Sequence, residues 1–152
     1  MWSGTIGARP DSASYRRRAD WVFTNRRGGV SQGEFESLNL AAHVGDDDSV
    51  VAENRQQLGE MLGSPPASLA FIDAEHGHNV YRITVHSLQP EGKCDGLVTK
   101  SADIALVALA ADCTPIVLAD TKNAVVGVVQ CGCRGVVAGI VPATIEAMLG
   151  LG

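Results

Sequence analysis

Between residues 69 and 129 the chain carries a series of short apolar segments broken by polar turns, and this feature restricts the fold more than any other. Residues 69–73, 80–85, 96–99, 104–110, 116–120 and 124–129 are too short for ordinary helices and rich in Val, Ile and Leu, so strands are expected at each. The last three lack the alternation of a strand with one wet face, which predicts cover on both sides. Thr121-Lys122-Asn123 is short enough to join two of them as a hairpin. The longest unbroken apolar stretch, residues 104–111, has eight residues, less than half of the roughly 20 that a spanning helix needs. No membrane crossing is expected.

Helical signals flank the strands. Asp46-Asp47-Asp48-Ser49 places carboxylates and a capping hydroxyl where the positive end of a helix dipole wants them. The helix is expected over residues 50–62, with Val51, Leu58, Met61 and Leu62 on one face and Gly63 and Pro65-Pro66 as its stop. A second helix is expected over residues 136–149, with Pro142 in its early turns and Gly150 at its end. A short strand over residues 20–24 precedes the turn Asn25-Arg26-Arg27-Gly28-Gly29, which reads equally as a solvated turn and as an anion-binding loop. The fold class is therefore α+β (mixed α/β): a central, largely buried mixed sheet flanked by helices. Residues 1–18 mix Gly, Ser, Pro and Arg without period and are expected as a loose N-terminal tail, leaving residues 19–152 as a single domain.

Composition bounds the partners. Hydrophobic residues make up 45% of the 152, which supplies a core, while aromatics at 5% leave that core to Val, Ala, Leu and Ile. A formal charge of −5 disfavours nonspecific binding to nucleic acid or to anionic membranes, and neither partner is expected. The N-terminal stretch has no apolar core ahead of a cleavage site, so a cytoplasmic location is expected. Cys94, Cys113, Cys131 and Cys133 are too few for a disulfide scaffold, and thiol chemistry or metal binding fits them better. Cys94 reads as a buried small hydrophobe.

Three segments place chemistry at expected strand ends: Glu75-His76-Gly77-His78, Asp112-Cys113-Thr114-Pro115 and Gln130-Cys131-Gly132-Cys133-Arg134-Gly135. Imidazole and thiolate suit zinc. The same pair, His76 and Cys113, also reads as a thiol activated by an imidazole, as in cysteine hydrolases. Local sequence leaves both open.

A wider pattern runs through the chain. Thr24-Asn25-Arg26-Arg27-Gly28-Gly29-Val30-Ser31, Ser37-Leu38-Asn39-Leu40, His43-Val44-Gly45-Asp46-Asp47, Glu53-Asn54-Arg55-Gln56-Gln57-Leu58, Glu75-His76-Gly77, Asp95-Gly96-Leu97-Val98-Thr99 and Ala111-Asp112-Cys113-Thr114-Pro115 follow one another in order. In order and spacing they resemble the laccase-domain family. This is the YfiH-like group once called polyphenol oxidases and now regarded as zinc-dependent purine nucleoside phosphorylases. The resemblance implies zinc ligands at His76, at Cys113 and at the position held by Gln130, where the family has the first His of H-A-G-W-R-G. An amide is a poor zinc ligand beside imidazole, and His78, on the same side as His76 in an extended stretch, is the candidate replacement. Cys131 and Cys133 point away from the side of Gln130 in such a stretch.

The resemblance further implies a purine nucleoside and phosphate as partners. Arg26 and Arg134 would be phosphate or base-edge donors, and Asn39 and His43 would orient ribose or phosphate. The bland readings are turn formation for Asn39 and a surface imidazole for His43. Zinc-bound hydroxide would serve an associated adenosine deamination, with Glu75 as a guessed general acid or base and Asp112 supporting the Cys113 loop. A rival of another class is a catalytically impaired fragment or binding module, motivated by Gln130, Cys131 and Cys133 in place of His, Ala and Trp. A copper-dependent polyphenol oxidase is disfavoured because one His and one Cys fall short of a copper cluster. The resemblance also implies a domain incomplete at its C-terminus, so exposed strand edges are expected to drive self-association.

Overall fold

The computed structural model describes residues 1–6 and 18–152. Its eight strands and three α-helices among those residues run in the order β1 (Trp2–Ile6), β2 (Ala19–Phe23), α1 (Asp48–Leu62), β3 (Leu69–Phe71), β4 (Val80–Arg82), β5 (Gly96–Thr99), β6 (Ala105–Val107), β7 (Thr114–Asp120), β8 (Val125–Cys131), α2 (Cys133–Ala138) and α3 (Ile140–Leu149). The mixed α+β class expected from the apolar runs is what forms, with strands close to their expected positions.

The sheet is divided. A four-stranded mixed sheet has the order β4-β5-β8-β7, with β4 and β5 parallel and the other two pairs antiparallel. β3 and β6 pair in parallel as a second sheet, and β1 with β2 antiparallel as a third. Turn Thr121-Lys122-Asn123 does join β7 to β8 as a hairpin, pinned by Asp120, whose carboxylate accepts from the Lys122 and Asn123 N–H groups.

Three expectations are corrected. Residues 2–6 are not loose: they form β1, because the bare Gly4 leaves room for the Trp21 ring, which a Cβ there would meet at 2.7 Å. The rest of the expected tail, residues 7–17, lies outside the described residues. The expected helix over 136–149 is two helices. Gly139 takes a left-handed φ of 89°, which closes α2 and re-aims the chain, and Pro142 falls in the first turn of α3, where no N–H is needed. Finally, cover on both faces holds for β8, buried at all but Val126, whereas β6 and most of β7 are half-buried. α3 covers one face of β5 and β8 through Val98, Val129, Ile140 and Met148, while the other face of β8, with β7, borders an open cleft.

The first helix starts two residues earlier than expected, because the Asp47 carboxylate and not the Ser49 hydroxyl is the N-cap: it accepts from the Ser49 N–H at 2.8 Å, and Gly63 closes the helix in the left-handed region as expected. Asn54 on α1 is fully buried and ties the loops before the helix: its amide accepts from the Val30 N–H and donates to Ser31, Ser37 and Asn39. No described helix is long and apolar enough to cross a membrane.

Candidate active site

The turn between β3 and β4 is built on a buried carboxylate. Asp95, fully buried at the start of β5, accepts from the N–H groups of His76 at 2.9 Å, Gly77 at 2.7 Å and Glu75 at 3.4 Å. These bonds hold His76 at a φ of 60°, a conformation that a residue with a Cβ adopts only when its surroundings impose it. The same Asp95 accepts the Gln130 N–H on its main-chain oxygen at 2.8 Å, so one residue fixes two of the three candidate ligand positions. The sequence signal for Asp95 was only its membership of the Asp-Gly-Leu-Val-Thr segment.

Cys113 arrives from the opposite side, just ahead of β7. Its Sγ lies 3.9 Å from His76 Nδ1, although 37 residues separate the two in sequence. Gly132 makes the approach possible, since a Cβ there would stand 3.0 Å from His76 Nδ1 and 3.1 Å from Cys113 Sγ. Any side chain would push the pair apart.

Gln130 completes the group. In the β7–β8 ladder it sits opposite Pro115, with Val128 opposite Val117 next along the same face. Gln130, Val128, Pro115 and Val117 all line a cleft of about 1430 Å³ that also reaches His76 and Asp112. Gln130 is only 8% exposed, and its amide makes no hydrogen bond among the described residues. No side-chain nitrogen or oxygen of a described residue is both sealed from solvent and unpaired, so the amide tip is what stays open. It opens into the cleft.

The loop residues are mixed. Arg26 lines the cleft, with its Nε donating to the Glu36 carbonyl and its terminal nitrogens unengaged among the described residues. The N–H groups of Gly28 and Gly29 donate to Ser37 Oγ, so the anion-binding reading of that turn rests on the guanidinium alone. Asn39 lines the cleft wall, but its amide is occupied locally: Nδ2 donates to Asp46 and the Ala41 carbonyl, and Oδ1 accepts from the Ala41 N–H. This is its turn-forming reading. His43 is exposed at the cleft rim. Arg134, exposed on α2, and His78, exposed after the turn, are not among the cleft-lining residues. Glu75 is exposed, and its carboxylate accepts from Asn79.

The thiols divide by burial. All four are free. Burial pushes the Cys94 thiol up to about 11, which makes it the inert core residue expected. Burial also raises Cys131, with nearby Cys113 adding to the effect. Cys131 packs with Val129 and Ile140 on the α3 side of β8, away from the cleft.

Residues 20–151 match the family model described as multi-copper polyphenol oxidoreductase laccase. The chain belongs to this laccase-type family. Among curated proteins it is similar to purine nucleoside phosphorylases of Streptomyces griseus, at 40% identity over 88% of this chain and 55% of that protein, and of Deinococcus radiodurans, at 40% over 86% and 50%. Its structure is similar to a Neisseria meningitidis protein, at a TM-score of 0.75 and 30% identity over 95% of this chain and 57% of that one. YlmD from Geobacillus stearothermophilus gives a TM-score of 0.70 at 34% identity, covering 76% and 46%. The chain thus spans about half the length of the curated relatives it matches.

Within this laccase-type chain the metal expectation meets a limit. A tetrahedral zinc separates a nitrogen and a sulfur ligand by about 3.5 Å, so the 3.9 Å between His76 and Cys113 suits two ligands of one ion. Among the described residues, however, no three His, Cys, Asp or Glu side chains come together, and the position where the resemblance implies a third ligand is Gln130 in sequence. The His78 replacement does not materialise. The three-residue set implied by the resemblance does not fit a zinc ion.

Proposed function

We propose that this chain binds purine nucleosides in the cleft and cleaves their N-glycosidic bond with phosphate. The observation that carries this reading is the approach of Cys113 Sγ to within 3.9 Å of His76 Nδ1, with His76 and Gln130 both lining the cleft, in a chain whose curated relatives are called purine nucleoside phosphorylases. In the reaction a phosphate oxygen bonds to ribose C1′ as the bond from C1′ to N9 breaks. The electron pair leaves with the purine, which then takes up a proton. Arg26, anchored through Nε, has its remaining N–H groups to hold the phosphate, and His43 at the rim can donate to phosphate or a ribose hydroxyl. The His76 imidazole, carried on a turn whose main-chain N–H groups bond to Asp95, can carry the proton that the departing base requires.

Cytoplasmic location, adenosine deamination and zinc at the His76–Cys113 pair belong to the finer content of the same proposal. With two protein ligands, zinc should bind weakly. The test is release of free base from adenosine and inosine by the full chain, with phosphate present or absent. Phosphate-dependent release that disappears in Cys113→Ala and His76→Ala is expected; no release with added zinc sinks the reading. A second reading, a binding module of the same fold without turnover, is favoured by Gln130 in the third ligand place. It predicts purine binding with no base release.

A further inference from the structure

We propose that the Trp21 indole is the shelf on which the purine base stacks, with the Phe23 ring as the wall at its edge. The inference rests on the purine reading above and deepens it by assigning the base a place in the cleft.

Three observations converge. First, among the described residues the Phe, Tyr and Trp side chains that line the cleft are Trp21 and Phe23, both half-buried on β2. The Leu, Val and Ala of the remaining wall offer a flat base apolar cover, but only an aromatic face adds stacking.

Second, the two rings form a fixed corner. They alternate along β2, opposite Gly4 and Trp2, and so share one face of the β1–β2 ribbon. The indole lies over Gly4, where a Cβ would meet three of its ring atoms at 2.7 to 3.1 Å, so β1 backs one side of the ring. Among the described residues none of β1 lines the cleft, and what the cleft meets there is the indole itself. The Phe23 ring stands at 69° to it, with centroids 5.5 Å apart. A ring backed from behind and walled on one side loses little freedom when a base settles on it.

Third, Arg26 follows Phe23 by three residues, within about 11 Å along the chain, and lines the same cleft. One segment of chain thus offers a face for the base and a guanidinium for the phosphate. Stacking reads the π-face of a base and not the group at its position 6. Trp21 should therefore hold adenine and hypoxanthine alike.

The test follows Trp21 emission in the full chain carrying Trp2→Phe, which removes the other indole, 79% exposed. Free adenine and free hypoxanthine should each quench that emission. By calorimetry, Trp21→Leu should weaken both bases by a similar factor, about tenfold, whereas Trp21→Phe should keep most of the affinity. Phe23→Leu, which leaves the Gly4 contact in place, should weaken both several-fold and serves if Trp21→Leu does not fold. Calorimetric binding of both bases with no change in emission overturns the inference and leaves the purine reading standing. Affinities unchanged in Trp21→Leu and Phe23→Leu, or a loss confined to one base, do the same. Binding of neither base overturns both.

Discussion

Gly132 and Asp95 show how single residues set the geometry of the site. The space over Gly132 is already filled by the His76 ring and the Cys113 sulfur, at 3.0 and 3.1 Å from where a Cβ would be. Gly132→Ala should therefore leave the unfolding midpoint nearly unchanged while lowering turnover several-fold, because both reacting groups must give way by a few tenths of an ångström. Equal activity in the alanine variant, measured beside its urea unfolding curve, would show that the pair is not used. Asp95 is a different case, since its carboxylate accepts three main-chain N–H groups in a fully buried place. Asp95→Asn turns an amide NH₂ toward donors, and a destabilisation of about 1–3 kcal/mol is expected, with faster hydrogen exchange at residues 75–77. Unchanged exchange there would mean that the turn holds without the carboxylate.

At the scale of elements, α1 shows a helix whose ends are written in local chemistry. Asp47 is pulled below the ordinary carboxylate value of 3.8 by its bond from the Ser49 hydroxyl, and Asp46 likewise by Asn39 and Ser31. A carboxyl depressed in the folded state stabilises the fold above the unfolded value and loses that contribution as pH falls through the folded one. Acid unfolding should therefore steepen below pH 3.8. Asp47→Asn, which caps without titrating, should flatten that limb. A superimposable acid limb in the variant rules this out. The start and stop of α1 were legible because cap residues act within one turn. The break at Gly139 was not, because Val136, Val137, Ile140 and Val141 continue an apolar pattern across it, and docking of α3 on β8 decides where the chain bends. β1 was equally hidden: it exists only through its pairing with β2 and the fit of Trp21 over Gly4. In the site, the residue types of His76, Cys113 and Gln130 were readable. Their meeting across 37 residues depended on Gly132 and Asp95, whose roles have no local signature.

The whole molecule leaves one flank open. Among the described residues β7 is an edge strand, hydrogen-bonded in its sheet to β8 alone, and its seven residues are mostly apolar and half-buried. The cleft beside it is lined by Val117 and Pro115, both half-buried. A mostly apolar edge is a template for another strand, and a strand of matching length is β7 of a second copy, paired antiparallel about a two-fold axis. Pro115 removes one donor near the strand's start, which confines the pairing to its later residues. Sedimentation of the full chain should therefore show a concentration-dependent dimer in the micromolar range. Val117→Lys, a charge on the cleft face of the edge, should shift it to monomer without lowering the unfolding midpoint, since the lysine stem can lie along the cleft with its head in water. A single 15.9 kDa species at every concentration would show instead that Pro115 and the twist of β7 suffice to blunt the edge.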